Sequence, residues 1–128
     1  MIAVDSSSII AYIQGESGPD IQLLERSIDA TELVLPPVVL SEVLSDPRLP
    51  SEHSALVQAL PLLDLREGYW IRAARSRAKI LAQDLRARLP DTLVAQSCID
   101  HNIPLIARDG DFRHFAKHCG LKLAQAVL

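Results

Sequence analysis

Short apolar runs separated by longer stretches of helical spacing constrain this chain more than any other feature. The runs occupy residues 2–4, 33–35, 62–65, 105–107 and 121–123. Most are apolar at successive positions instead of alternating, the pattern of strands covered on both faces of a parallel sheet. Helical patterns lie between them at 7–13, 20–30, 37–45, 51–59, 67–89, 91–101 and 110–118. Strands and helices in alternation predict an α/β fold: a three-layer α/β/α domain with a mostly parallel central sheet. The prolines support these boundaries. Pro19, Pro36, Pro37, Pro47, Pro50, Pro61, Pro90 and Pro104 all fall at predicted element edges, where a missing N–H costs no needed hydrogen bond.

A length of 128 residues fits one domain, 1–128, and 48% hydrophobic residues suffice for its core. Only 4% of residues are aromatic, so that core is aliphatic. Cys98 and Cys119 are too few to form a disulfide framework and suit a reducing cytosol. The apolar start reaches Asp5 too soon for a signal peptide, and no uncharged apolar run approaches the ~18 residues of a membrane span. A cytoplasmic protein without a membrane association is expected.

The longest helical pattern, 67–89, carries an apolar stripe of Trp70, Ile71, Ala74, Ala78, Leu81, Leu85 and Leu89 at 3.6-residue spacing. Arg72, Arg75, Lys79 and Arg86 line another face. They fit an ordinary solvated surface, and they also fit a track for RNA phosphates, whose counterions they would displace.

Five acids stand where the local pattern asks for a turn or an apolar residue. Asp5 ends the first run, Glu42 interrupts a valine- and leucine-rich helix, and Asp91 follows Pro90 at a helix start. Asp109 and Asp111 follow the fourth run. In an open parallel sheet, ligands bind beyond the carboxyl ends of the strands, so all five can meet at one edge. Taken singly, Asp5, Asp91 and Asp111 also suit helix N-termini, and Asp109 suits a turn before Gly110. Glu42 fits that explanation least, because a carboxylate among Val38, Val39, Val43 and Leu44 needs a partner. Gathered carboxylates repel and require a cation, and oxygen donors suit Mg²⁺ or Mn²⁺. The net charge is −3, an excess that the five acids more than cover. An acidic total therefore does not exclude a nucleic-acid substrate.

Four segments together resemble the PIN-domain family, and within it the VapC-type ribonuclease toxins of toxin–antitoxin pairs. They are Val4-Asp5-Ser6-Ser7, Val39-Leu40-Ser41-Glu42-Val43, Pro90-Asp91-Thr92-Leu93-Val94-Ala95, and residues 103–112 around Arg108-Asp109-Gly110-Asp111. The resemblance spans the whole chain and implies that the five runs lie in the order 3-2-1-4-5. It implies metal-dependent endoribonuclease activity with Mg²⁺ or Mn²⁺ held by Asp5, Glu42, Asp91 and Asp109. Asp111 assists, and the Ser6 hydroxyl belongs to the site. Asp5 or Asp91 would take the proton of the attacking water. A homodimer restrained by a cognate antitoxin is implied too; Ile9, Ile10, Tyr12 and Ile13 could line its docking groove, or pack into the core or a dimer interface, and for Ile9 and Ile13 the core is the better fit. One departure stands out: Ala107 occupies the place of the family's usual threonine.

Other chemistries find less support. His114 and His118 are four apart with Cys119 beside them, a spacing that can bind zinc, but no fourth ligand is evident. There is no glycine-rich phosphate loop, and Ser41 lacks a glycine-flanked nucleophile elbow. Two alternatives remain open. A receiver-like or phosphatase-like aspartate phosphoryl-transfer protein also uses strand-end aspartates, but usually carries a second acid just after the first strand, where this chain has Ser6-Ser7-Ser8. A non-catalytic protein-binding module would use the acids only as caps, and would bind no divalent ion stoichiometrically.

Overall fold

The computed structural model describes residues 1–127. Strands β1 (Ile2–Val4), β2 (Leu33–Val34) and β3 (Leu105–Ile106) form a parallel sheet in the order β2-β1-β3. Ala3, at the centre, pairs with Val34 on one side and Leu105 on the other. Single parallel bridges, Leu35 to Leu62 and Leu105 to Leu123, extend the ladder at both edges. The order 3-2-1-4-5 expected of the five apolar runs is therefore present, although the third and fifth runs contribute one bridge each. Asp64 and Lys122 explain the reduction: each interrupts its run with an exposed charge that a strand covered on both faces cannot carry.

The helices are α1 (Ser6–Ile13), α2 (Pro19–Asp29), α3 (Pro37–Leu44), α4 (Ser51–Ala59), α5 (Tyr69–Leu81), α6 (Leu89–His101) and α7 (Phe112–Cys119). Helices α5, α6 and α7 pack on one another, α1 packs on α2 and α3, and α3 also meets α6. The sheet supplies the centre of the core, with Val4, Leu35, Leu105 and Ile106 fully buried in one cluster that also holds Phe112 and Phe115. Among the described residues no helix is long and apolar enough to cross a membrane.

The predicted helix 67–89 is corrected in two respects. It ends at Leu81, and the chain turns through Asp84 at φ 58° before α6 begins at Leu89. Its buried side is also not the predicted stripe. Tyr69, Ala73 and Ile80 face the core, whereas Trp70, Ile71 and Leu81 are 62%, 60% and 44% exposed. Polar contacts help set this orientation. Arg72 donates from Nε and Nη2 to the two Asp100 oxygens, at 2.9 and 2.6 Å, and Ser76 donates to Gln96 of α6 at 2.6 Å.

Glycine is required at position 18, where φ is 148°. A Cβ there would stand 2.8 Å from Asp20 Oδ1 and 2.9 Å from Arg108 Nη2. The bare backbone leaves room for Arg108 to clasp Asp20 through Nε and Nη2, both at 2.9 Å.

Candidate metal centre

Parallel pairing brings the carboxyl ends of β1, β2 and β3 to one edge, and the chain enters α1 and α3 directly from the first two. Asp5 is fixed there by its own backbone, whose N–H donates to Ile106 of β3 at 2.9 Å. Its side chain caps α1: Oδ2 accepts from the Ser7 N–H at 3.1 Å and the Ser7 hydroxyl at 2.6 Å. Capping and availability for a ligand thus coexist in one carboxylate, because Oδ1 is buried and has no hydrogen-bond partner among the described residues.

Glu42 sits on α3 between the buried Val39 and Val43 turns and accepts from the Ser6 hydroxyl at 3.0 Å. Asp91 lies in the first turn of α6, and its Oδ2 is likewise buried without a partner among the described residues. Asp109 accepts the Asp111 N–H at 2.9 Å, a tight turn that brings the two acids together. One carboxylate oxygen from each of Asp91, Asp109 and Asp111 lies within 4.8 Å of the others. Asp111 occupies the N-cap position of α7 but makes no side-chain cap bond.

The electrostatics describe a site short of positive charge. Burial raises the Asp5 pKa, Ser7 partly offsets this, and Glu42 adds to it. Asp91 is pushed up to about 7, first by burial and then by Asp5, Asp109 and Glu42, with Arg88 opposing. Asp91 therefore lies within electrostatic reach of Asp5, Asp109 and Glu42, and Asp109 and Asp111 cluster with it; Asp5 and Glu42 stand outside that three-acid cluster. The donors are all carboxylate oxygens and two buried oxygens are unpartnered, so the residues present fit a hard divalent ion.

The other candidates are distributed differently. Arg72 is committed to Asp100, while Arg75, Lys79 and Arg86 are exposed, and Arg86 lies beyond the end of α5. The four cations therefore do not share one continuous helical face. His114 approaches Asp111 at 4.0 Å, but among the described residues His114, His118 and Cys119 form no metal-ligand cluster. Ala107 is fully buried. The neighbouring Arg108 N–H donates instead to the Ser7 hydroxyl, at 3.2 Å. Ser7 belongs to the segment Val4-Asp5-Ser6-Ser7, but nothing in that segment marks it for a role at the site. The only signal was the serine run, in which Ser6 serves Glu42, Ser7 serves Asp5, and Ser8 serves Asp20 at 2.9 Å.

The PIN domain model matches residues 2–118. The chain belongs to the PIN-domain family. No functionally curated protein matches this PIN domain in sequence. Among solved structures it is similar to a chain of the crystal structure of VapBC2 from Rickettsia felis bound to a DNA fragment from their promoter. That likeness covers 96% of this chain and 97% of the other, at 17% identity and a TM-score of 0.69, a similarity of fold.

Proposed function

We propose that this PIN domain is a metal-dependent endoribonuclease that acts in the cytoplasm as a VapC-like toxin. The observation carrying this reading is the pair of buried oxygens without partners among the described residues, Asp5 Oδ1 and Asp91 Oδ2, with Asp91 in a cluster of three carboxylates with Asp109 and Asp111. Asp5, Glu42, Asp91 and Asp109 would hold Mg²⁺ or Mn²⁺, with Asp111 completing the set. Such an ion supplies charge neutralisation for a phosphodiester and acidifies a water for attack. The chain's own residues do the rest. Asp5 and Asp91 each offer an oxygen that can accept the attacking water's proton. Ser6 orients Glu42, and the Asp109–Asp111 turn holds two carboxylates on one side of the site. Arg75 and Lys79 on α5 and Arg86 beyond it are exposed and could meet the RNA backbone.

Regulation by an antitoxin fits two surface features. Exposed Leu56 and the partly buried Tyr12 and Ile28 surround a small apolar dip between α1, α2 and α4, floored by the buried Ile9, Leu24 and Val57, where an apolar side chain of a partner helix could seat. Ile13 also borders a second hollow that reaches Glu42. A basic segment following such a helix could therefore extend toward the acids and replace part of the ion's charge. The exposed Trp70, Ile71 and Leu81 on α5 supply an apolar face for a homodimer.

The activity test is cleavage of total cellular RNA by purified protein. Cleavage that needs Mg²⁺ or Mn²⁺, stops in excess chelator and is lost in Asp5→Asn supports the reading, whereas cleavage unaffected by chelator contradicts it. Co-expression with the adjacent reading frame tests the partner: a co-purifying small protein that suppresses cleavage is expected. Sedimentation of Trp70→Glu tests the dimer face, because a charge there should shift a dimer toward monomer.

A further inference from the structure

We infer that Ser7 is a positioning residue for the proposed metal centre, selecting Asp5 Oδ1 as the oxygen presented to the ion. This inference rests on the metal-centre reading above and concerns how one ligand is aimed. A backbone N–H alone would suffice to cap α1, as in many helices. Here the Ser7 hydroxyl adds a second and shorter bond to the same oxygen, 2.6 Å against 3.1 Å for the N–H. Asp5 Oδ2 is thereby doubly bonded to a single residue, while the buried Oδ1 has no partner among the described residues.

The hydroxyl's second contact sets its direction. A serine hydroxyl donates one proton and accepts through its lone pairs. Ser7 Oγ accepts from the Arg108 N–H at 3.2 Å, so its single proton is left for Asp5. Arg108 follows β3 and precedes Asp109, while Asp5 follows β1. One side chain therefore spans the two strand ends that carry these acids, and ties the orientation of Asp5 to the backbone leading into Asp109. Ser6 and Ser8 cannot replace it, since consecutive helical residues point in directions about 100° apart and their hydroxyls are engaged by Glu42 and Asp20. A residue that orients a metal ligand through a hydrogen bond typically changes affinity by about 10–100-fold when removed.

The test is Mn²⁺ affinity of the full chain, measured by electron paramagnetic resonance and calorimetry, with thermal melting of the metal-free protein alongside. Ser7→Ala should weaken Mn²⁺ binding by about tenfold or more. Ser7→Thr, which restores a hydroxyl, should recover most of that loss. Ser7→Cys keeps the side-chain size but has only a weak donor, so it should resemble Ser7→Ala, and it decides the matter if Ser7→Ala does not fold. Parent-like Mn²⁺ affinity in folded Ser7→Ala or Ser7→Cys overturns the role of Ser7, provided that Asp5→Asn has lost binding. If Asp5→Asn itself binds Mn²⁺ as the parent does, the metal-centre reading falls, and this inference falls with it.

Discussion

Two groups of buried and half-buried acids in this PIN domain have opposite surroundings. Asp20 and Asp100 are each held by an arginine through two hydrogen bonds, Asp20 by Arg108 and Asp100 by Arg72. Burial alone would raise their pKa values, but the arginines and neighbouring Ser8 or Gln96 bring both below the ordinary carboxylate range. At the sheet edge the balance is reversed. Asp5 and Asp91 are raised, their neighbours are other acids, and each leaves a buried oxygen without a partner. The chain thus clasps the acids that join its helices and loops with arginines and gives the edge acids no such clasp: Arg88 only partly offsets the repulsion at Asp91, and His114 stands 4.0 Å from Asp111. A buried carboxylate needs compensation. Where the protein does not provide it, a bound ion can.

The largest expected effect is on activity. Asp5→Asn should reduce metal-dependent RNA cleavage by roughly a hundredfold or more, because a direct ligand matters at least as much as the residues that orient it. The metal-free variant should melt no lower than the parent, since one charge leaves a repulsive cluster. A large fall in melting temperature would instead assign Asp5 a mainly structural role.

Asp20→Ala should do the reverse. It removes three hydrogen-bond contacts, from Ser8 and Arg108, at a cost of about 2 kcal/mol, as expected for bonds to a charged group. Denaturant unfolding measures this loss, and Mn²⁺ titration of the folded variant should still give stoichiometric binding. Loss of metal binding without loss of stability would erase the distinction between the two groups.

The pH dependence of melting sharpens the same contrast with smaller effects. Folded Asp91 keeps its proton up to about pH 7, whereas its ordinary value is 3.8. Between those limits the folded state binds the extra proton, so its contribution makes stability fall as pH rises. Metal-free Asp91→Asn should lose that contribution and show a flatter melting profile from pH 4 to 7. Asp20 and Asp100 act in the opposite sense. Their contribution is present above the unfolded value near 3.8 and is lost as pH falls below it. Mn²⁺ affinity should rise with pH across the Asp91 window, since the ion competes with the proton.

Much of this arrangement was legible in the sequence because backbone geometry follows from short-range pattern. The runs at 2–4, 33–35 and 105–107 became the paired centre of the sheet, and that placed Asp5 and Asp109 at one edge. The α5 stripe was misread for a physical reason. Trp70, Ile71 and Leu81 have true helical spacing, but spacing defines a face and not the direction in which it points. That direction comes partly from Arg72 and Ser76, which meet Asp100 and Gln96 from another helix. Such pairings between distant residues leave no local trace. The same limit hid the contact of Ser7 with Arg108, which lies far along the chain, whereas the approach of Asp111 to Asp91 and Asp109 follows from their common edge.

The most direct measurement is anomalous diffraction from crystals grown with Mn²⁺. The account predicts a peak among Asp91, Asp109 and Asp111, with Asp5 and Glu42 reaching the ion directly or through its waters, and no such peak in crystals of Asp5→Asn. Parent crystals with saturating Mn²⁺ and no density at that edge, or an equal peak in the variant, would contradict it.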